Sequence, residues 1–146
     1  MKRVIILSFI LIGSVMFMNA QEWQTDIDQA KNKASKENKP IILVFQGSDW
    51  CAPCMKLESE IWSTEEFKNY AADNFVMLLA DFPKKKKNAV TPEQQEKNNN
   101  LAEIYNKSGF FPLVVMLDKD GNILGQTGYK KMTPNEYIDH LNSFKH

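Results

Sequence analysis

Five consecutive apolar residues, Ile41-Ile42-Leu43-Val44-Phe45, do most to limit what this chain can fold into. A strand with one wet face alternates polar and apolar residues, whereas an unbroken, mostly β-branched run suits a strand covered on both faces. The segment from Phe75 to Phe82, FVMLLADF, reads the same way. Such strands need helices above and below, and the intervening segments carry helical patterns. Trp23, Ile27, Ala30 and Ala34 fall at helical spacing between Trp23 and Asn38, with Asp26 and Asp28 early and lysines late, as the helix dipole prefers. That helix should end before Pro40. A second should run from about Cys51 to Tyr70 with Leu57, Ile61 and Trp62 on its buried side; STEE, Ser63 to Glu66, reads as a capping box that breaks it near Ser63.

A third helix opens on Thr91 as cap with Pro92 in the first turn and closes on Gly109. Pro112–Leu117 and Asn122–Thr127 flank Asp118-Lys119-Asp120-Gly121, a tight-turn signal that predicts an antiparallel hairpin. A last helix starts near Thr133-Pro134 and runs to about Phe144. Strands separated by helices favour a parallel core, and the hairpin adds an antiparallel edge. The expected fold is therefore α/β, a three-layer α/β/α sandwich around a mixed central sheet. A chain of 146 residues without an internal repeat or a linker holds one such domain.

The first twenty residues stand apart. Lys2 and Arg3, an uncharged stretch from Val4 to Met18, and the small residue Ala20 have the order of a secretory signal peptide, and the apolar part is shorter than a spanning helix needs. Residues 1–20 are expected to be a leader cleaved after Ala20, leaving a domain at 21–146. Met18, where a small residue is preferred, keeps an uncleaved anchor as the alternative. Removing the leader leaves 16 basic against 18 acidic residues, a net charge of −2, which favours no nucleic acid or other polyanion as partner. The mature domain is expected to be a monomer without membrane contact, in an extracytoplasmic compartment such as the periplasm, where disulfides form and persist.

The chain has two cysteines, Cys51 and Cys54, in GSDWCAPCMK. Cys51 lies where a buried strand and a short loop deliver the chain to a helix N-terminus, whose free N–H groups and dipole favour thiolate over thiol. Cys54 is one turn further on the same face, and Pro53 fits the first turn, where its missing N–H costs nothing. A thiol of pKa near 8.5 is only a few per cent ionised at pH 7, so a one-unit downward shift, about 1.4 kcal/mol, raises the reactive fraction nearly tenfold. Cys51 is thus the expected attacking sulfur and Cys54 the more buried resolving one. The alternatives are weaker. A disulfide closing a four-residue loop removes little chain entropy, and zinc lacks four ligands because His140 and His146 lie at the far C-terminus. No metal and no cofactor are expected.

DWCAPCMKLE after a buried strand, followed by SGFFPLVVMLDKDGNIL, resembles the thioredoxin-like superfamily, and most of all its exported thioredoxin-related members such as the C-terminal domain of the thiol:disulfide interchange protein DsbD. The resemblance implies a cis Phe111-Pro112 peptide beside the dithiol, pairing through its backbone with an extended substrate segment; a trans proline opening a strand is the plainer alternative. It also implies that Trp50 forms an apolar rim rather than a core contact. One departure stands out. The family's buried acid six residues before the first cysteine is here Phe45; Glu58, on the helical face of both cysteines, reads first as a solvated surface glutamate and is otherwise the candidate for proton transfer, with Asp49 a second, weaker candidate. Lys84-Lys85-Lys86-Lys87 reads as a solvated loop, or else as a site for an acidic partner or an anionic membrane.

The resulting expectation is an exported thiol–disulfide oxidoreductase acting on protein disulfides, with a redox partner that supplies or accepts electrons. A non-catalytic peptide-binding module of the same fold and a thiol redox sensor are the alternatives.

Overall fold

A computed structural model describes residues 21–146; the leader expected at residues 1–20 lies outside them. Five strands, β1 (Trp23–Gln24), β2 (Ile41–Gln46), β3 (Val76–Asp81), β4 (Leu113–Leu117) and β5 (Ile123–Thr127), form one sheet in the order β1-β3-β2-β4-β5. The helices are α1 (Ile27–Glu37), α2 (Ala52–Leu57), α3 (Glu65–Asn74), α4 (Pro92–Tyr105) and α5 (Pro134–Asn142). β1, β3 and β2 run parallel, β4 lies antiparallel to β2, and β5 is antiparallel to β4. The mixed sheet expected from the element order is present. Its antiparallel part is wider than the hairpin, because α4 carries the chain across β2 and returns it as β4 in the opposite direction.

Three boundaries differ from the sequence pattern, each for a local reason. Helical spacing continues back to Trp23, yet the Asp26 carboxylate accepts from the N–H groups of Asp28 and Gln29, both at 3.0 Å, and so starts α1 at Ile27. Trp23 is thereby released to pair with Met77 in β1 and to pack edge-on against Trp62. After α2 the chain widens into a π turn, Glu58–Trp62, closed by the Ser63 N–H donating to the Glu58 carbonyl at 2.9 Å. The Ser63 hydroxyl donates to that same carbonyl, so Thr64 rather than Ser63 caps α3. α4 stops at Tyr105, four residues short of Gly109, because Asn106 turns its amide onto the backbone of Phe110.

Alternation along the strands divides the core into two clusters. Ile42, Val44, Met77, Val114 and Met116 pack against Leu57, Ile61, Trp62, Phe67 and the α5 residues Tyr137 and Leu141. Ile41, Leu43, Phe45, Leu78 and Val115 pack against Ala30 and Ala34 of α1 and Leu101 of α4. The Asp118–Gly121 turn closes the hairpin: Gly121 takes φ +90, which its missing Cβ permits, and the Asp118 carboxylate accepts from the backbone of Asp120 and Asn122. Trp62 sits at the centre of the first cluster, 2% exposed and edge-on to Trp23, Phe67 and Tyr137. Trp62→Ala should cost about 3–5 kcal/mol and lower Tm by roughly 10–20 °C in calorimetry. A drop of only a few degrees would show that the cluster closes without it.

Candidate active site

The end of β2 fixes where the cysteines arrive. Gly47 follows the strand, and its carbonyl accepts from the N–H groups of Trp50 (3.3 Å) and Cys51 (3.0 Å), turning the chain into α2. No side chain fits at Gly47, since a Cβ there would lie inside the Trp50 indole. Cys51 is the N-cap of α2, with extended φ −96 and ψ 103, and its Sγ accepts from the Cys54 N–H at 3.3 Å. A thiolate at that position has a hydrogen-bond donor already aimed at it, which favours the ionised form. The structure holds the pair as a disulfide with Cα atoms 5.2 Å apart. Cys51 is 4% and Cys54 2% exposed, so both sulfurs are largely covered and the first is only slightly more open.

Phe111-Pro112 is a cis peptide. Asn106, itself buried, positions it: its amide nitrogen donates to the Phe110 carbonyl at 2.9 Å and its oxygen accepts from the Phe110 N–H at 3.0 Å. The Phe111 ring meets Trp50 edge-on at 5.4 Å and Phe82 at 5.5 Å. Trp50 itself is 37% exposed and donates its indole N–H to the Phe82 carbonyl at 2.7 Å. It is therefore a rim residue held by one hydrogen bond, not a core tryptophan. These contacts join Trp50, the residue before Cys51, to Phe111 of the cis peptide, about sixty positions further along the chain.

The two carboxylates proposed for proton transfer part company. Glu58 lines a cleft of about 510 Å³ beside Cys54, shared with Gln46, Ser48 and Trp23. Its side chain reaches solvent, yet the cleft walls desolvate the carboxyl enough to raise its pKa above the usual value, against a weaker downward pull from Lys68. Phe45 points the other way, into the α1 and α4 cluster, so an acid at that position and Glu58 would approach the dithiol from opposite faces of the sheet. Asp49 has other work. Its oxygens accept from the N–H groups of Lys84 and Lys85 and from the Asn88 amide, each at 2.9 Å, and the first of these bonds does most to hold its pKa below the usual range. A carboxylate kept ionised by three donors is a poor proton carrier and a good anchor.

Several residues that shape the site gave no signal in the sequence. Asp81 accepts from the Ser48 N–H at 3.0 Å and the Ser48 hydroxyl at 2.6 Å, tying the loop after β2 to the end of β3. Asn98, the first of three consecutive asparagines, is 1% exposed and donates to the Asp81 carbonyl at 2.8 Å. Asn106 looks equally unremarkable until the fold places it behind Phe110.

The comparisons with known proteins agree with this geometry. A family model described as thioredoxin-like matches residues 22–119. The disulfide bond reductase DsbH of Chlamydia pneumoniae is 34% identical over 122 residues, covering 84% of this chain and 71% of that protein. A solved DsbH oxidoreductase superposes with a TM-score of 0.78 at 33% identity, covering 86% of this chain and 84% of the other. The C-terminal domain of Neisseria meningitidis DsbD in its oxidised form shares the fold, with a TM-score of 0.53 at 17% identity over 81% of this chain and 91% of that one. The chain belongs to the thioredoxin-like family.

Proposed function

We propose that this thiol–disulfide oxidoreductase works as an exported disulfide reductase on protein substrates. The observation that carries the reading is the Cys51–Cys54 pair at the start of α2, preceded by Trp50, whose ring meets Phe111 of the cis Phe111-Pro112 peptide. The direction follows the DsbH relative, which is named a disulfide bond reductase. The direction is a matter of several kilocalories: related dithiols span about −270 to −120 mV, and 30 mV is about 1.4 kcal/mol. Export rests on the leader pattern of residues 1–20, which supports a periplasmic or other extracytoplasmic location.

In the reduced protein the Cys51 thiolate attacks one sulfur of the substrate disulfide and expels the other as a thiolate. The Cys54 thiol then loses its proton and attacks Cys51 Sγ, closing the observed disulfide and releasing the second substrate thiol. Two electrons pass to the substrate, and an external dithiol partner must return them. Trp50, Phe111 and Pro112 form the substrate rim. Neither the N–H nor the carbonyl of Phe111 takes part in the turn and loop hydrogen bonds of the described residues, which leaves both for an extended peptide.

Glu58 is the proton acceptor for Cys54 in this scheme. It lies in the same cleft, and its raised pKa brings it closer to that of a thiol than an ordinary glutamate. It can accept a proton only when ionised, so resolution should lose rate as pH falls through a value above 4.5. Glu58→Gln should slow release of the mixed disulfide by on the order of a hundredfold and remove that acidic limb, leaving Cys51 attack unchanged in stopped-flow measurements. An unaltered pH profile would return the residue to the surface. For the dithiol, wild type should reduce insulin, Cys51→Ser should not, and Cys54→Ser should accumulate mixed disulfides with substrate. A Cys51→Ser protein that keeps full biological activity would favour the non-catalytic binding module instead. Reaction with peroxide but not with protein disulfides would favour the sensor.

A further inference from the structure

The four lysines Lys84–Lys87 are all exposed, and the scheme above uses none of them. Among the described residues none has a carboxylate at ion-pair distance. Residues 21–146 carry a net charge of −2, so a quarter of the 16 basic residues sit in one run of an otherwise slightly acidic domain. A solvated loop needs no attachment, yet this one is fastened to the redox centre. Asp49, two residues before Cys51, accepts from the N–H groups of Lys84 and Lys85 and from Asn88. Trp50 donates to the Phe82 carbonyl two residues ahead of the run, and the Lys84 ammonium lies 4.0 Å from the centre of the Trp50 ring. Asp49 and Asp81 are the acids at the base of the loop, and both are engaged, by the loop backbone and by Ser48.

We infer that Lys85, Lys86 and Lys87 are a docking surface for an acidic polypeptide segment flanking the disulfide of the substrate, an inference that deepens the oxidoreductase reading and rests on it. Screening decides the range: at physiological salt the Debye length is about 8 Å, so these charges act on groups that come to lie beside the loop and hardly on distant ones. That favours residues next to the scissile disulfide over the overall charge of a partner. A bilayer is the less suitable occupant, because lipid lying on the lysines would cover the rim through which a disulfide must reach Cys51. The effect should appear in the association rate, where charge complementarity acts most strongly.

The test uses mature protein reduced beforehand and three peptides, each with one internal disulfide and with acidic, neutral or basic flanks. Single-turnover rate constants at low salt should favour the acidic over the basic peptide by about tenfold or more, and the ratio should fall toward one at high salt. In the triple variant K85Q/K86Q/K87Q the ratio should collapse while the rate on the neutral peptide stays at the wild-type value. Asp49→Ala, which unfastens the loop, should lower the ratio as well. The acidic peptide with serines in place of its cysteines reads docking without redox chemistry, by fluorescence anisotropy. If all three disulfide peptides go unreduced while the serine peptide still binds through the lysines, the reductase reading fails and the docking surface stands. A ratio equal in wild type and triple variant overturns the inference. So does lysine-dependent binding to anionic phospholipid vesicles without any preference among the peptides.

Discussion

Burial of β2 on both faces is the constraint on which the other elements depend. Ile41, Ile42, Leu43, Val44 and Phe45 are each fully covered, which requires a strand on either side and a helical layer above and below. Covering five such side chains contributes roughly 10 kcal/mol, comparable with the entire net stability of a domain. β3 and β4 flank it in the sheet, α2, α3 and α5 form one layer, and α1 and α4 the other. With β2 immobile, the residues that leave its end have little freedom. Gly47 turns the chain, Cys51 becomes the cap of α2, and the second sulfur falls within bonding distance of the first.

Around that fixed point the loops are held by side-chain hydrogen bonds to backbone as well as by the packing of Trp50, Phe82 and Phe111. Asp49, Asp81, Asn98 and Asn106 each fasten one loop near the dithiol. Polar residues suit this role because a loop at the sheet edge carries backbone groups that the strands no longer satisfy. The arrangement leaves the Trp50 ring exposed and edge-on to Phe111 while the cysteines stay covered.

Much of the fold was legible because the signals are local. The runs at β2 and β3, the Thr91-Pro92 and Thr133-Pro134 helix starts and the Asp118–Gly121 turn each state their structure within a few residues. The errors came where two local preferences competed. Trp23 fits a helical face, but the Asp26 cap is worth about 1 kcal/mol and the tryptophan gains more as a strand residue against Trp62. Ser63 and Thr64 both suit an N-cap, and the π turn, which is invisible in the residue pattern, decides between them.

By itself the sequence determined an α/β domain with a dithiol at a helix start, because spacing, capping and hydrophobic runs act between near neighbours. It also named Trp50, Phe111, Pro112 and Glu58, though only through a resemblance or a helical face. Tertiary structure alone decided that the cleft of Cys54 and Glu58 is shared with Trp23 while Phe45 faces the opposite side, and that the Asp49 carboxylate accepts from the backbone of the lysine loop. Those outcomes depend on which segments thirty or more residues apart come to lie together. The side-chain pattern of each segment carries no record of that proximity; it arises only when the sheet closes.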